Sequence, residues 1–274
     1  MNAAQVHAVL ARGVSDPRRL NEWASNPQAL RTLGVDPASL DLVALRGFAG
    51  LALKVRHNGL RGAFLHSFRL LHAAGLEIEV FADYALALAT AGEALASTDT
   101  ARARALIAFV QRWHDPGLTT HSLLWDLLRH EGALFELAQL PAETRTPATR
   151  PHARPTPRAM MRVRGTVRLH EMQHKPSDIL LALRQREPDL TAIAPAASAM
   201  CYWRPPDEAA VRIVELDAFG FAAVQAGQGQ HRVAELSMAL GLGSRVPDMV
   251  RTLLEQLQEL GLLVFERPTR STTQ

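Results

Sequence analysis

From residue 3 to residue 139, apolar positions recur at intervals of three and four, the period of helices that bury one face. The segments marked in this way run roughly over 3–12, 17–25, 27–33, 37–55, 60–73, 79–96, 99–113 and 120–139. Asp16-Pro17, Asn26-Pro27 and Asp36-Pro37 each place a capping side chain before a proline, which suits the first helical position. Gly34 and Gly75 stand where a left-handed residue ends a helix. In the last segment Leu123, Leu124, Leu127, Leu128, Leu134 and Leu137 form one apolar stripe.

The pattern then stops. "PAETRTPATRPHARPTPRA", Pro141 to Ala159, holds five prolines among Thr and Arg and reads as an extended, solvated linker. Beyond it the period shortens. "MRVRGTVRLHEM" alternates as a strand, "SDILLALRQRE" reads as a helix, and "AMCYWR" and "AVRIVEL" flank "PPDEA" as a hairpin. Three helices follow, from Asp217 or Phe219 to Ala226, Val233 to Leu240 and Val246 to Leu260, before the short strand "LLVFER". The predicted fold is α+β, with an all-helical domain over 1–140, a Pro/Arg-rich linker over 141–159 and a winged-helix domain over 160–274.

Charge changes this picture by its location. Seven arginines and one glutamate lie between Pro141 and His170, a net +6 in a chain whose total is +3, so the basicity sits in and beside the connector. No run of about 18 apolar residues suits a membrane helix, and "MNAAQVHAVLARGVSD" lacks the layout of a signal peptide. The single cysteine, Cys201, excludes an internal disulfide framework and fits a reducing cytoplasm.

Few motifs carry chemistry. "HEMQH", His170 to His174, matches the zinc-protease string, whose two histidines must share a helix face with Glu171 as base. Here it follows a strand-like run and meets Pro176 within two residues, so coincidence is the expected outcome. Cys201 lies in a half-buried strand and reads as a core thiol. His57, Asn58, His130 and Glu131 stand in "KVRHNGLR" and "LLRHEGAL", where solvent-facing or helix-contact roles are the plain expectation. "GLGS" is a turn between helices, and neither a Walker loop nor a GxGxxG fingerprint occurs.

The helix-turn-helix "HRVAELSMALGLGSRVPDMVRTLLEQLQELGLL" raises DNA binding as one reading. Its long helix carries Asp248, Arg251, Glu255 and Glu259 outward, and Val211–Arg267 holds five arginines against seven acids. Phosphate contacts supply most non-specific DNA affinity, so a net-acidic module is a poor DNA reader. The same helix has an apolar arc of roughly 140°, wider than the ~100° of a core stripe. Its edges, Met249 and Leu254, are candidate walls of a groove beside strand Val211–Glu215, where a peptide could pair by backbone hydrogen bonds.

The run "VRIVELDAFGFAAVQAGQGQHRVAELSMALGLGSRVPDMVRTLLEQLQELGLL" resembles the peptide-recognition elements of ribosomal-peptide (RiPP) maturation, in which a precursor's leader docks between the third strand and third helix. "LALKVRHNGLRGAFLHSF", "GLEIEVFADYA", "LLWDLLRHEGAL" and "MCYWR" are similar to the partner subunits of multinuclear non-haem iron oxidative peptide-modifying enzymes of the methanobactin, 3-thiaglutamate and bufferin type. The likeness covers most of residues 40–265, skips the linker and brings no catalytic motif. It implies a non-catalytic cytoplasmic subunit without its own cofactor, paired as a heterodimer with an iron enzyme and presenting a precursor's cysteine to it. The layout leans toward the 3-thiaglutamate type, whose enzyme excises the β-carbon of a C-terminal cysteine. On this reading Arg212 and Arg251 pair with leader acids, and Val214, Met249 and Leu254 receive apolar anchors, with Glu255 beside them. Arg56, His57, Asn58, Arg129 and His130 become the candidates for docking on the enzyme.

Overall fold

A computed structural model describes residues 3–91, 98–141, 154–206, 208–243 and 246–266, except the side chains of Leu53, Lys54, Arg56 and Ala89. The chain is α+β and divides into two compact units, Met1–Gly132 with Pro176–Ile193, and Ala133–Lys175 with Ala194–Gln274. The division passes through a helix upstream of the Pro/Arg-rich segment, most of which lies outside the described residues.

The first unit contains α1 (Ala3–Ser15), α2 (Pro17–Ser25), α3 (Pro27–Thr32), a 3-10 turn (Pro37–Ser39), α4 (Leu42–Arg56), α5 (Asn58–Ala63), α6 (Leu65–Ala73), α7 (Glu77–Ala91), α8 (Asp99–Trp113), most of α9 (Thr119–Ala138) and α10 (Pro176–Ala182). Pro17, Pro27 and Pro37 open elements as expected, and the Asp16 and Asp36 carboxylates accept backbone N–H groups at two of those starts. Leu20, Trp23 and Leu30 are fully buried between the first four helices. Phe64, Phe68, Phe81, Tyr84, Leu106 and Leu127 are buried as well.

Two expected helices are each broken. The segment 37–55 is a 3-10 turn followed by α4, and 60–73 is split between α5 and α6 at Phe64. Phe64 offers no side-chain cap to α6. The cap comes instead from α9, where Glu131 accepts the His66 and Ser67 N–H groups at 2.8 Å and the Ser67 hydroxyl at 2.7 Å. A buried carboxylate is stable there because three donors and the positive end of a helix replace its water.

The second unit begins with the end of α9. Its strands are β1 (Met160–Val163), β2 (Thr166–Met172), β3 (Ser198–Arg204), β4 (Arg212–Leu216) and β5 (Leu263–Glu266), with α11 (Ala218–Gln228), α12 (Val233–Ala239) and α13 (Asp248–Glu259) between the last two. The single strand expected over "MRVRGTVRLHEM" is two strands in two sheets. β1 pairs with β5, while β2, β3 and β4 form an antiparallel sheet in that order. Gly165 makes the break at φ +86°, and a Cβ there would lie 2.3 Å from the Arg204 carbonyl oxygen. The closing strand therefore does not extend the three-stranded sheet.

Alternation sorts the two faces of that sheet. Val167, Cys201 and Trp203 join the core beneath α11, α12 and α13, whereas Met172, Met200 and Tyr202 pack on Ala133 and Leu137 of α9. The buried Arg204 guanidinium donates to the carbonyls of Leu137 (2.7 Å) and Leu140 (2.5 Å), closing the C-terminal end of α9. The tail of the predicted linker is also structural. Ala159 is buried, and the carbonyls of Pro157 and Ala159 accept the Ala234 and Val233 N–H groups at the start of α12.

Candidate functional site

β4 is the outer strand of its sheet, and among the described residues it pairs on one side only. Such an edge keeps a row of backbone donors and acceptors open to an added strand. Val214 and Leu216 turn inward and pack on the core that also holds Val250, Leu254 and Leu257 of α13, so strand and helix share one apolar interior. Ile213 is 45% exposed on the same strand. Arg212 lies over the Trp203 ring at 5.2 Å from its centroid and pairs with Glu208, which holds its guanidinium at the edge. Glu215 pairs with Lys175 at 2.7 Å.

On α13 the candidate residues separate. Met249 is 68% exposed, Arg251 is exposed and paired with Asp248 at 3.0 Å, and Glu255 is half-buried. Leu254 is a correction: it is fully buried, and its side chain fills the core rather than a groove wall. The expected arc ran too wide on that edge, because the sheet and α11 cover it. Exposed Leu260, at the end of α13, and half-buried Leu253 are the apolar side chains left nearer to solvent.

The residues expected to dock on an enzyme are mostly interior. His57 is buried and stacks on Phe81 with ring centroids 4.4 Å apart. Arg129 pairs with buried Asp126 at 2.6 Å and covers the Trp125 ring at 4.9 Å. His130 is buried, and burial, with His66 nearby, pushes its imidazole pKa down to about 4. Both histidines thus take the helix-contact role rather than standing on the surface. Asn58 is exposed at the start of α5, and the Arg56 side chain lies outside the described residues.

The catalytic-looking residues do not assemble. His170 and Glu171 lie on β2, where successive side chains point to opposite faces, and His174 follows beyond the strand's end. Among the described residues, no group of three or more His, Cys, Asp or Glu side chains is placed to hold a metal ion. Cys201 is fully buried, and burial pushes its thiol up to about 12, so it stays protonated near neutrality.

One surface escaped the sequence reading. Val43, Phe48, Leu51 and Val55 of α4 are 80%, 57%, 59% and 68% exposed, forming an apolar face in the first unit. Their spacing was visible within 37–55, but nothing in the spacing tells a buried helix face from a bare one.

No helix among the described residues is long and apolar enough to cross a membrane. No protein-family model matches this chain, and no match is found among curated proteins.

Proposed function

We propose that this chain is a non-catalytic accessory protein that binds the leader region of a ribosomally made precursor peptide and presents its cysteine to an iron-dependent oxidative enzyme. The observation that carries the reading is the open edge of β4, set on the same core as α13, with Arg212, Ile213, Met249 and Arg251 reaching solvent. In this reading α11, α12 and α13 with the β1–β5 pair form a winged helix used for peptide recognition. The leader adds a strand to β4 by backbone hydrogen bonds and seats apolar side chains along the outer edge of α13. The iron belongs to the partner enzyme, the two proteins work as a cytoplasmic heterodimer, and excision of a β-carbon from a C-terminal cysteine is the proposed reaction. DNA binding is the weaker reading, because Asp248 and Glu259 are exposed on α13 and would meet phosphates.

The test is fluorescence anisotropy with a labelled synthetic leader of a cysteine-bearing precursor peptide. Arg212→Glu and Arg251→Glu are each expected to weaken binding about tenfold, the scale of losing one charge-assisted contact. Unchanged affinity in both variants and in Met249→Asp would remove this edge from the function. Salt-dependent binding to duplex DNA in preference to the leader would favour the alternative of a winged-helix DNA-binding transcriptional regulator instead.

A further inference from the structure

The exposed face of α4 borders a cavity of about 560 Å³, within the size range of ligand and anchor pockets. Gly47, Gly50 and Leu51 form its α4 wall, and His57 and Phe81, stacked on each other, line it too. Both glycines sit inside a helix, where each costs roughly 1 kcal/mol relative to alanine. Among the described residues, a Cβ built at either meets nothing within 4 Å. Both leave open space at the cavity's α4 wall.

The apolar face extends beyond the opening. From Val43 to Val55 it covers roughly 18 Å of helix at 1.5 Å per residue, too long for one small molecule to cover. Contiguous apolar surface of this kind marks interaction sites. Among the described residues, the charged side chains lining the cavity are Arg46, Arg61 and Glu77. Glu77 is engaged by Arg61, whereas Arg46 donates to a neutral acceptor, the Asn21 side-chain oxygen, at 2.8 Å. The rim therefore favours an occupant with a carboxylate.

We propose that this face of α4 and α7 receives an amphipathic helix of a protein partner, with one large apolar side chain in the cavity and an acidic residue opposite Arg46. The proposal deepens the partner-subunit reading of the helical unit and rests on it. It is independent of peptide capture at β4.

The experiment uses the full chain carrying Val43→Cys, labelled with an environment-sensitive dye. Cys201 is fully buried and does not compete for label. Two synthetic four-turn helices with a Leu/Phe face serve as probes, one flanked by Glu and one by Lys. Saturable binding that prefers the Glu helix at least tenfold is expected, with Gly50→Leu and Leu51→Glu each weakening it at least tenfold. Arg46→Glu should reverse the preference between the two helices. Thermal midpoints at or above that of the parent chain separate lost binding from lost folding. No saturable binding up to about 1 mM, or indifference to these substitutions, overturns the proposal. So does displacement by 4-phenylbutyrate at equal affinity, which marks a small-molecule site. Sedimentation showing a dimer that Leu51→Glu dissolves assigns the face to a second copy and also overturns it. Co-purification with a co-expressed iron enzyme separates the two levels. If the enzyme is retained by Leu51→Glu, only this docking face fails; if it never co-purifies while the Glu helix binds, only the accessory reading fails.

Discussion

α4 and α13 are both amphipathic helices, yet they end in opposite situations. α13 sinks Val250, Leu254 and Leu257 beneath the sheet, and only Met249 and Leu260 remain largely exposed at its ends. α4 buries Ala49 but leaves Val43, Phe48, Leu51 and Val55 in water. An apolar stripe in a sequence states a need for cover and does not say who provides it. For α13 the cover is the rest of its own unit. For α4 nothing described within its unit provides it, and a partner is the economical answer.

The largest expected contrast is in stability. Leu254→Ala should cost about 2–5 kcal/mol through lost burial and a residual cavity, read as a lowered thermal or urea midpoint. The same truncation at exposed Leu51 should change stability by less than about 0.5 kcal/mol. Equal losses at the two positions would break the comparison, because they would mean that α4 is covered in solution.

Acid should sharpen it next. His130 is held neutral in the fold, its pKa pushed down to about 4 from the ordinary 6.5, so the unfolded chain takes up its proton first. Stability from this residue is complete above pH 6.5 and falls as pH drops toward 4, by up to about 3 kcal/mol. The C-terminal unit's main core, built on Leu254 and Cys201, holds no such group. Near-ultraviolet signals from Tyr84 and Trp113, close to the helical core, should therefore fade at higher pH than that of Trp203, and His130→Gln should flatten the difference. Coincident loss with no response to His130→Gln would contradict this.

The smallest effect has the opposite sign. Gly47→Ala and Gly50→Ala should each stabilise the chain by about 0.5–1 kcal/mol, because helix propensity improves and the added methyl group meets nothing. A loss of stability at either would show that the glycines serve packing and not the cavity.

Much of the local structure was legible. Proline at the first helical position and glycine after the last turn placed several helix ends, because these are backbone constraints that act within a few residues. The break at Phe64 was not, since the cap is Glu131, 65 residues beyond His66, and no local signal announces a distant carboxylate. Gly165 could have been suspected, because a glycine inside an alternating run often marks a close approach or a bend. The candidate site was legible as an element pair, β4 and α13, but not residue by residue. Met249 and Leu254 stand at the two opposite edges of the apolar arc, and only packing decides that one is bare and the other core. For His57 and His130 the residues alone left solvent-facing and helix-contact roles both open; the resemblance suggested docking, whereas stacking and helix contact hold them inside.

The pairing of β1 with β5 has a consequence in time. Met160 meets Glu266 across the register, so the first strand of its unit leaves the ribosome long before its partner exists. At roughly 5–20 residues per second, the wait lasts on the order of 5–20 s. During that interval Met161 and Val163 lack the strand that later covers them, and the nascent unit depends on being shielded. A truncation between Ile193 and Leu263 makes the wait permanent, so such shortened products should collect in the insoluble fraction although the helical unit, complete by Ile193, is already folded.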